Sequence, residues 1–161
     1  MKRVMIDIET LGTDKDSAIL SIGACSNAGD EFEMYPKIIG KINPSTVLWW
    51  FGQCEDGRLA QVKAERVRLT DCLKELKLWC LDINPDEYWA NGVTFDFNIL
   101  DNWYFRSHMT PPWRHSQIRD YRTVSRMFGL PALNNNHTAL GDALNQMQRL
   151  EEYNDPRIPC D

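Results

Sequence analysis

The sequence predicts an α/β fold, a mixed central sheet whose first three strands are antiparallel, flanked by helices. Three observations predict it. Residues 3–38 alternate apolar and polar side chains in short runs separated by turn residues, the pattern of a three-stranded meander. Residues 44–153 are mostly helical in their spacing and are interrupted by one clear strand, which belongs beside the first. At 161 residues and 43% hydrophobic content, the chain can bury one core but not two. No linker, charge block or repeat marks a seam, so residues 1–161 read as one domain.

The first strand runs from Arg3 to Glu9, with Val4, Ile6 and Ile8 alternating against Met5, Asp7 and Glu9. A turn containing Gly12 leads to a second strand, Ile19 to Cys25, which carries a small residue, Gly23, at its centre. Asn27-Ala28-Gly29-Asp30 is a turn signal, and Glu31 to Ile38 reads as a third strand. Asn43-Pro44-Ser45-Thr46 starts a helix, and the following forty residues read as helical. Thr70 is a cap candidate for a helix in which Leu73, Leu76 and Cys80 share a face. Glu87 to Asn91 is a strand, followed by a helix from near Thr94 that places Phe95, Ile99 and Trp103 toward the core. A further short strand fits near Gln117 to Asp120. A helix from about Asp120 stops at Gly129 before Pro131, and the last helix runs from about Thr138 to Tyr153, with Leu140, Leu144 and Met147 inward. Disorder is expected only from Asn154 to Asp161.

Composition narrows the class. The N-terminus reaches Asp7 before any apolar run attains the length of a signal peptide or membrane span, which predicts a cytoplasmic protein and no membrane partner. Five cysteines (Cys25, Cys54, Cys72, Cys80, Cys160) form no C-x-x-C pair and are expected as free thiols. A net charge of −5 excludes a protein that coats nucleic acid by bulk electrostatics. It allows one that first neutralises its acids with cations.

Asp7 and Glu9 lie two apart on a strand, so both carboxylates leave the same face. Such a pair repels itself unless a cation intervenes, although a solvated strand end is the plainer reading of Asp-x-Glu alone. Asp96 falls in the first helical turn after a strand, where an acid also complements the helix dipole. His137 and Asp142 are five residues apart, about 140° from a shared helix face. His137 therefore belongs to the loop or first turn before the helix that carries Asp142, a position suited to a proton acceptor.

Together these segments resemble a known family. Asp7-Ile8-Glu9-Thr10-Leu11-Gly12, Asn91-Gly92-Val93-Thr94-Phe95-Asp96-Phe97-Asn98-Ile99-Leu100 and His137-Thr138-Ala139-Leu140-Gly141-Asp142-Ala143 are similar to the three motifs of the DnaQ-like DEDDh 3′-to-5′ exonucleases, which have an RNase H-like fold. Ser45 to Trp50 followed by Gln53 resembles the branch of phage exonuclease A, exodeoxyribonuclease VIII and mycobacterial RNase AS. Leu11 and Gly141 depart from residues common in relatives, and Asn134-Asn135-Asn136 before His137 is unusual.

The resemblance implies a 3′-to-5′ exonuclease acting on single-stranded 3′ ends, with DNA slightly favoured. It implies Asp7, Glu9, Asp96 and Asp142 as metal ligands for two Mg²⁺ or Mn²⁺ ions and His137 as the general base, whose protonation sets the acidic limb of the rate profile. It places terminal recognition at Thr10, Leu11 and Gly12, and it allows a homodimer. Trp49 and Trp50 offer a stacking surface for a base. Neighbours on a helix point about 100° apart, so one should pack in the core and the other meet substrate or a partner. Phe97 is a further stacking candidate, with core packing as the plainer reading. Lys63, Arg66, Arg119, Arg122 and Arg126 are candidates to guide phosphates, with a solvated helix face as the plainer reading. Asp120 is a candidate supporting acid outside the ligand set. The competing readings are an exoribonuclease of the same fold and a silent nucleic-acid-binding module.

Overall fold

The computed structural model describes residues 1–53, 55–130 and 137–154. Cys54, Cys160, Pro131, Asn134-Asn135-Asn136 and the tail from residue 155 lie outside them. The period-two segments fold as β1 (Arg3–Thr10), β2 (Ile19–Ser26) and β3 (Glu31–Met34). Then come α1 (Pro44–Phe51), α2 (Glu55–Lys63), α3 (Leu69–Ile83) and β4 (Glu87–Ala90). The chain ends with α4 (Asp96–Arg106), β5 (Ile118–Asp120), α5 (Tyr121–Met127) and α6 (Ala139–Asn154). The sheet order is β3-β2-β1-β4-β5. β1, β2 and β3 pair antiparallel, while β4 and β5 join in parallel. This is the mixed, helix-flanked sheet that the sequence predicts, and the short strand near Asp120 is present.

Both faces of β1 are covered, so its alternation sorts side chains between two cores rather than between core and water. Val4, Ile6 and Ile8 pack with Leu73 and Leu76 of α3 and Ile99 and Leu100 of α4. Met5 packs on the other face with Ala143, Met147 and Leu150 of α6. Asp7 and Glu9 share that second face, which places them beneath α6.

Gly23 makes the approach of α6 possible. It is the register partner of Asp7 on β2. A Cβ there would fall 2.1 Å from the backbone nitrogen of Leu140 and 2.2 Å from the carbonyl carbon of Ala139. Only glycine lets the first turn of α6 lie on the sheet.

Several elements differ from expectation. β3 stops at Met34 because Pro36 has no N–H to continue a ladder. The helical stretch after Pro44 breaks at Gly52 and again before α3, where Val67 exchanges backbone hydrogen bonds with the chain around Pro36. Arg68, not Thr70, occupies the cap position of α3, and no side chain caps it. On α6 the inward stripe is Ala139, Asp142, Ala143, Gln146, Met147 and Leu150, and Leu144 is 38% exposed. Two polar residues occupy positions that an apolar stripe would claim, which rotates the leucine outward. Cys25, Cys72 and Cys80 are free and buried, as expected of thiols used as filler. Among the described residues no helix is long and apolar enough to cross a membrane.

Gly23→Ala should destabilise the protein by about 3 kcal/mol in urea denaturation, because helix backbone cannot yield as a side chain could. Gly29 has φ +98° and open space around its missing Cβ, so Gly29→Ala should cost only about 1 kcal/mol. Equal effects would contradict this account of the β2–α6 contact.

Candidate active site

The carboxylates meet where β1 leaves the sheet. β1 pairs with β4 only from Arg3 to Met5, so the N–H of Ile8 lies beyond the parallel ladder. It donates instead to Oδ1 of Asp96, at 3.2 Å. Asp96 opens α4 and is held by the turn before it. Gly92 takes φ +122° there, Arg122 Nη2 donates to the carbonyl of Asn91 at 2.8 Å, and Val93 N–H donates to Oδ2 of Asp120 at 3.0 Å. The other oxygen of Asp120 accepts from Thr123 N–H as the cap of α5. The supporting acid marked in the sequence thus ties α5 to the turn that aims Asp96.

Asp142 lies on the inward stripe of α6 and is buried. Four residues later Gln146, fully buried, donates Nε2–H to Oδ1 of Asp7 at 3.0 Å. Its carbonyl oxygen has no partner among the described residues. Nothing in the sequence singles out Gln146, whose one signal is a polar residue on the apolar stripe of α6.

His137 sits just before α6 with φ +57°, in the left-handed region. Its ring is edge-on to Trp49 at 5.0 Å and to Trp50 at 6.1 Å. One ring nitrogen and one carboxylate oxygen each from Glu9 and Asp142 lie within 4.8 Å of one another. Trp50 is 7% exposed, and its indole N–H donates to the carbonyl of Thr10 at 2.9 Å, which anchors α1 to the end of β1. Trp49 is 47% exposed and lines the cleft. One tryptophan therefore packs in the core, as the helix geometry predicts, and the other is open.

The cleft has a volume of about 560 Å³. Asp7, Glu9, Asp96, Asp142 and His137 line it, together with Thr10, Thr13, Asn43, Ser45, Thr46, Asn91, Phe95 and Arg122. Of the three residues expected at the strand end, Thr10 alone lines this cleft. Leu11 N–H donates to Ala18 and its carbonyl accepts from Asn43, so its backbone is spent internally, and its side chain lines an apolar pocket beside α1. Gly12 is buried, and its carbonyl accepts from the Thr10 hydroxyl. Phe97 takes the plainer of its two readings, core packing. It is 2% exposed and edge-on to Trp113 within the core, so it offers no face to a base in this cleft.

The carboxylates are electrostatically mismatched to their surroundings. Burial, then Asp142 and Asp96, push Glu9 from 4.5 up to about 8. Burial pushes Asp96 up to about 7, opposed by the Ile8 N–H and its own backbone N–H. Burial, then Asp96 and Glu9, raise Asp7 well above the usual range, and the Gln146 hydrogen bond opposes the rise. Arg122 is the one Lys or Arg among the described residues lining the cleft. Among the described residues the positive charge at the cleft falls far short of four acids, and an all-oxygen donor set fits hard divalent cations.

A mixed sheet carries paired acids at the end of its first strand, and acids at the starts of two helices and a neighbouring histidine complete the cluster, a donor set that fits divalent metal. The chain belongs to the family described as the 3′-5′ exoribonuclease Rv2179c-like domain, whose model matches residues 2–154. It is a hydrolase of the 3′-to-5′ exonuclease class, and nucleic acid is its substrate. Among solved structures it is similar to the nuclease domain of 3′hExo, a DEDDh family member bound to rAMP. That match has TM-score 0.65 and 14% identity and covers 96% of this chain and 92% of that one. It is also similar to cell-death related nuclease 4 (CRN-4), with TM-score 0.58 and 12% identity, covering 96% of this chain and 64% of that one. At these identities the likeness is one of fold. No curated protein matches the chain.

A proton held to about pH 8 in the folded state, but released near 4.5 when unfolded, gives the unfolded state fewer bound protons between those values. The metal-free protein should therefore lose stability from Glu9 as pH rises through this window. The gain in melting temperature on adding Mg²⁺ or Mn²⁺ should grow from its lower to its upper end. A gain independent of pH would contradict the site's electrostatics.

Proposed function

We propose that the protein is a 3′-to-5′ exoribonuclease that removes mononucleotides from single-stranded 3′ ends, with Asp7, Glu9, Asp96 and Asp142 as ligands for two Mg²⁺ or Mn²⁺ ions and His137 as general base. The observation that carries this reading is the convergence of four carboxylates in one cleft, three of them buried and Asp7 half-buried, with an imidazole beside two of them. The family description supports RNA over the DNA slightly favoured by the motif resemblance.

Bound divalent cations supply Lewis-acid charge that lowers the pKa of water and stabilises charge on the phosphoryl oxygens. The chain's own residues do the rest. Gln146 holds one oxygen of Asp7. Ile8 N–H does the same for Asp96. His137 takes the proton of the attacking water, with its ring held between α1 and α6 by Trp49 and Trp50. Thr10 and the open face of Trp49 meet the terminal nucleotide, and base stacking there contributes about 1 to 3 kcal/mol.

Labelled single-stranded RNA should be shortened from its 3′ end with Mg²⁺ or Mn²⁺ and left intact with a chelator. His137→Ala should slow release by about a hundredfold or more while Mn²⁺ binding persists. Asp7→Ala should lose both. A His137→Ala protein that no longer binds Mn²⁺ would make the imidazole a ligand instead of the base. Wild-type protein that digests neither RNA nor DNA would overturn the reading. Replacing Gln146 by methionine keeps the shape and removes the donor, so Gln146→Met should weaken Mn²⁺ binding severalfold without lowering the melting temperature of the metal-free protein. Unchanged Mn²⁺ affinity would reduce Gln146 to packing.

A further inference from the structure

Five basic residues stand out in the sequence as candidates for phosphate, and the structure separates them. Arg66 spends its guanidinium on the carbonyls of Leu20, Pro36 and Gln61. Arg119 pairs with Glu87 at 3.1 Å and donates to the carbonyls of Ser116 and Ile118. Lys63 and Arg126 do not line the cleft. Arg122 lines it, exposed to solvent, on the wall formed by Asn91, Phe95 and Asp96.

Its guanidinium is seated rather than loose. Nη2 donates to the carbonyl of Asn91 at 2.8 Å. A Cβ on Gly92 would lie 3.2 Å from Nη2 and 3.4 Å from Cζ, so the guanidinium rests against the face that glycine leaves bare. The same glycine supplies the positive φ of the turn that aims Asp96. No other hydrogen bond of Arg122 forms among the described residues, which leaves most of its five N–H donors available. A guanidinium pre-positioned at the edge of an acid-lined cleft matches two non-bridging oxygens of a phosphodiester, which a lysine would meet only as a point charge.

We propose that Arg122 binds a backbone phosphate of the nucleic-acid substrate on the Asp96 side of the cleft and thereby sets substrate affinity. The assignment rests on the exonuclease reading and adds to it the residue that holds the strand. The competing role is structural. Arg122 also lowers the proton affinity of Asp96 and ties down the Asn91 turn, so its loss could act through metal binding alone.

Binding of a labelled RNA oligonucleotide to the His137→Ala protein in Mn²⁺, measured across a salt series, separates the two roles. Arg122→Gln should weaken binding about tenfold and reduce the slope of log affinity against log salt by about 0.7, the loss of one phosphate contact on a single strand. In the otherwise wild-type enzyme it should raise KM with kcat within about twofold, and Mn²⁺ affinity should be unchanged. Arg122→Lys should restore the salt slope but only part of the affinity. Unchanged affinity and slope in Arg122→Gln would overturn the proposal, as would a fall in Mn²⁺ affinity that accounts for the loss of activity. If the wild-type protein digests RNA while Arg122→Gln is indistinguishable from it, this assignment alone fails. If the wild-type protein neither binds nor digests any end, the exonuclease reading fails with it.

Discussion

The crowding of four carboxylates into one cleft that largely excludes water is the constraint on which the site depends. Asp7, Glu9, Asp96 and Asp142 line one cleft in which burial and mutual charge raise the proton affinity of Asp7 and Glu9, and burial raises that of Asp96. A fold that served only its own stability would have no use for such a cluster, since each charge removed from water carries a penalty that only a partner offsets. The one arginine in the lining is too little to balance four acids. The arrangement becomes favourable when divalent cations enter.

The scaffold works against that repulsion from several directions. β1 carries two of the acids on the face covered by α6, and Gly23 lets the backbone of α6 lie directly on β2 opposite Asp7. The β4–α4 turn brings Asp96 to the unpaired N–H of Ile8, and Asp120 on β5 pins that turn from below. Trp50 joins α1 to the end of β1, and with Trp49 it packs against His137. The acids are thus placed by the strand and helices that carry them, with Asp7 held further by Gln146 and Asp96 by the Ile8 N–H. That rigidity is what catalysis by positioned charge requires.

Much of this was legible in the sequence because it depends on local periodicity. Asp7 and Glu9 share a face by strand alternation, Asp96 follows a strand at a helix start, and His137 cannot share a helix face with Asp142. The place of β4 beside β1 follows from one strand after the meander, whereas nothing in the sequence puts β5 beside β4. What was not legible depends on which elements meet. Gly23 is merely small until α6 is known to cross β2. Gln146 reads as an ordinary helix residue until it is seen beside Asp7. Apolar type points Leu144 inward, although Asp142 and Gln146 claim that face for polar use. The resemblance places Leu11 at the substrate end, whereas its side chain turns to a neighbouring pocket, and of the two readings of Phe97 the structure takes core packing, around Trp113. The early end of β3 at Pro36 had its signal in the sequence, since proline ends a ladder.

The central claim is that cations replace protons among these acids. Calorimetric titration of Mn²⁺ near neutral pH, in two buffers of different ionisation enthalpy, tests it directly by counting protons exchanged. Net release of protons as Mn²⁺ binds is the predicted result. Binding without proton release, or no binding at saturating Mn²⁺, would contradict it.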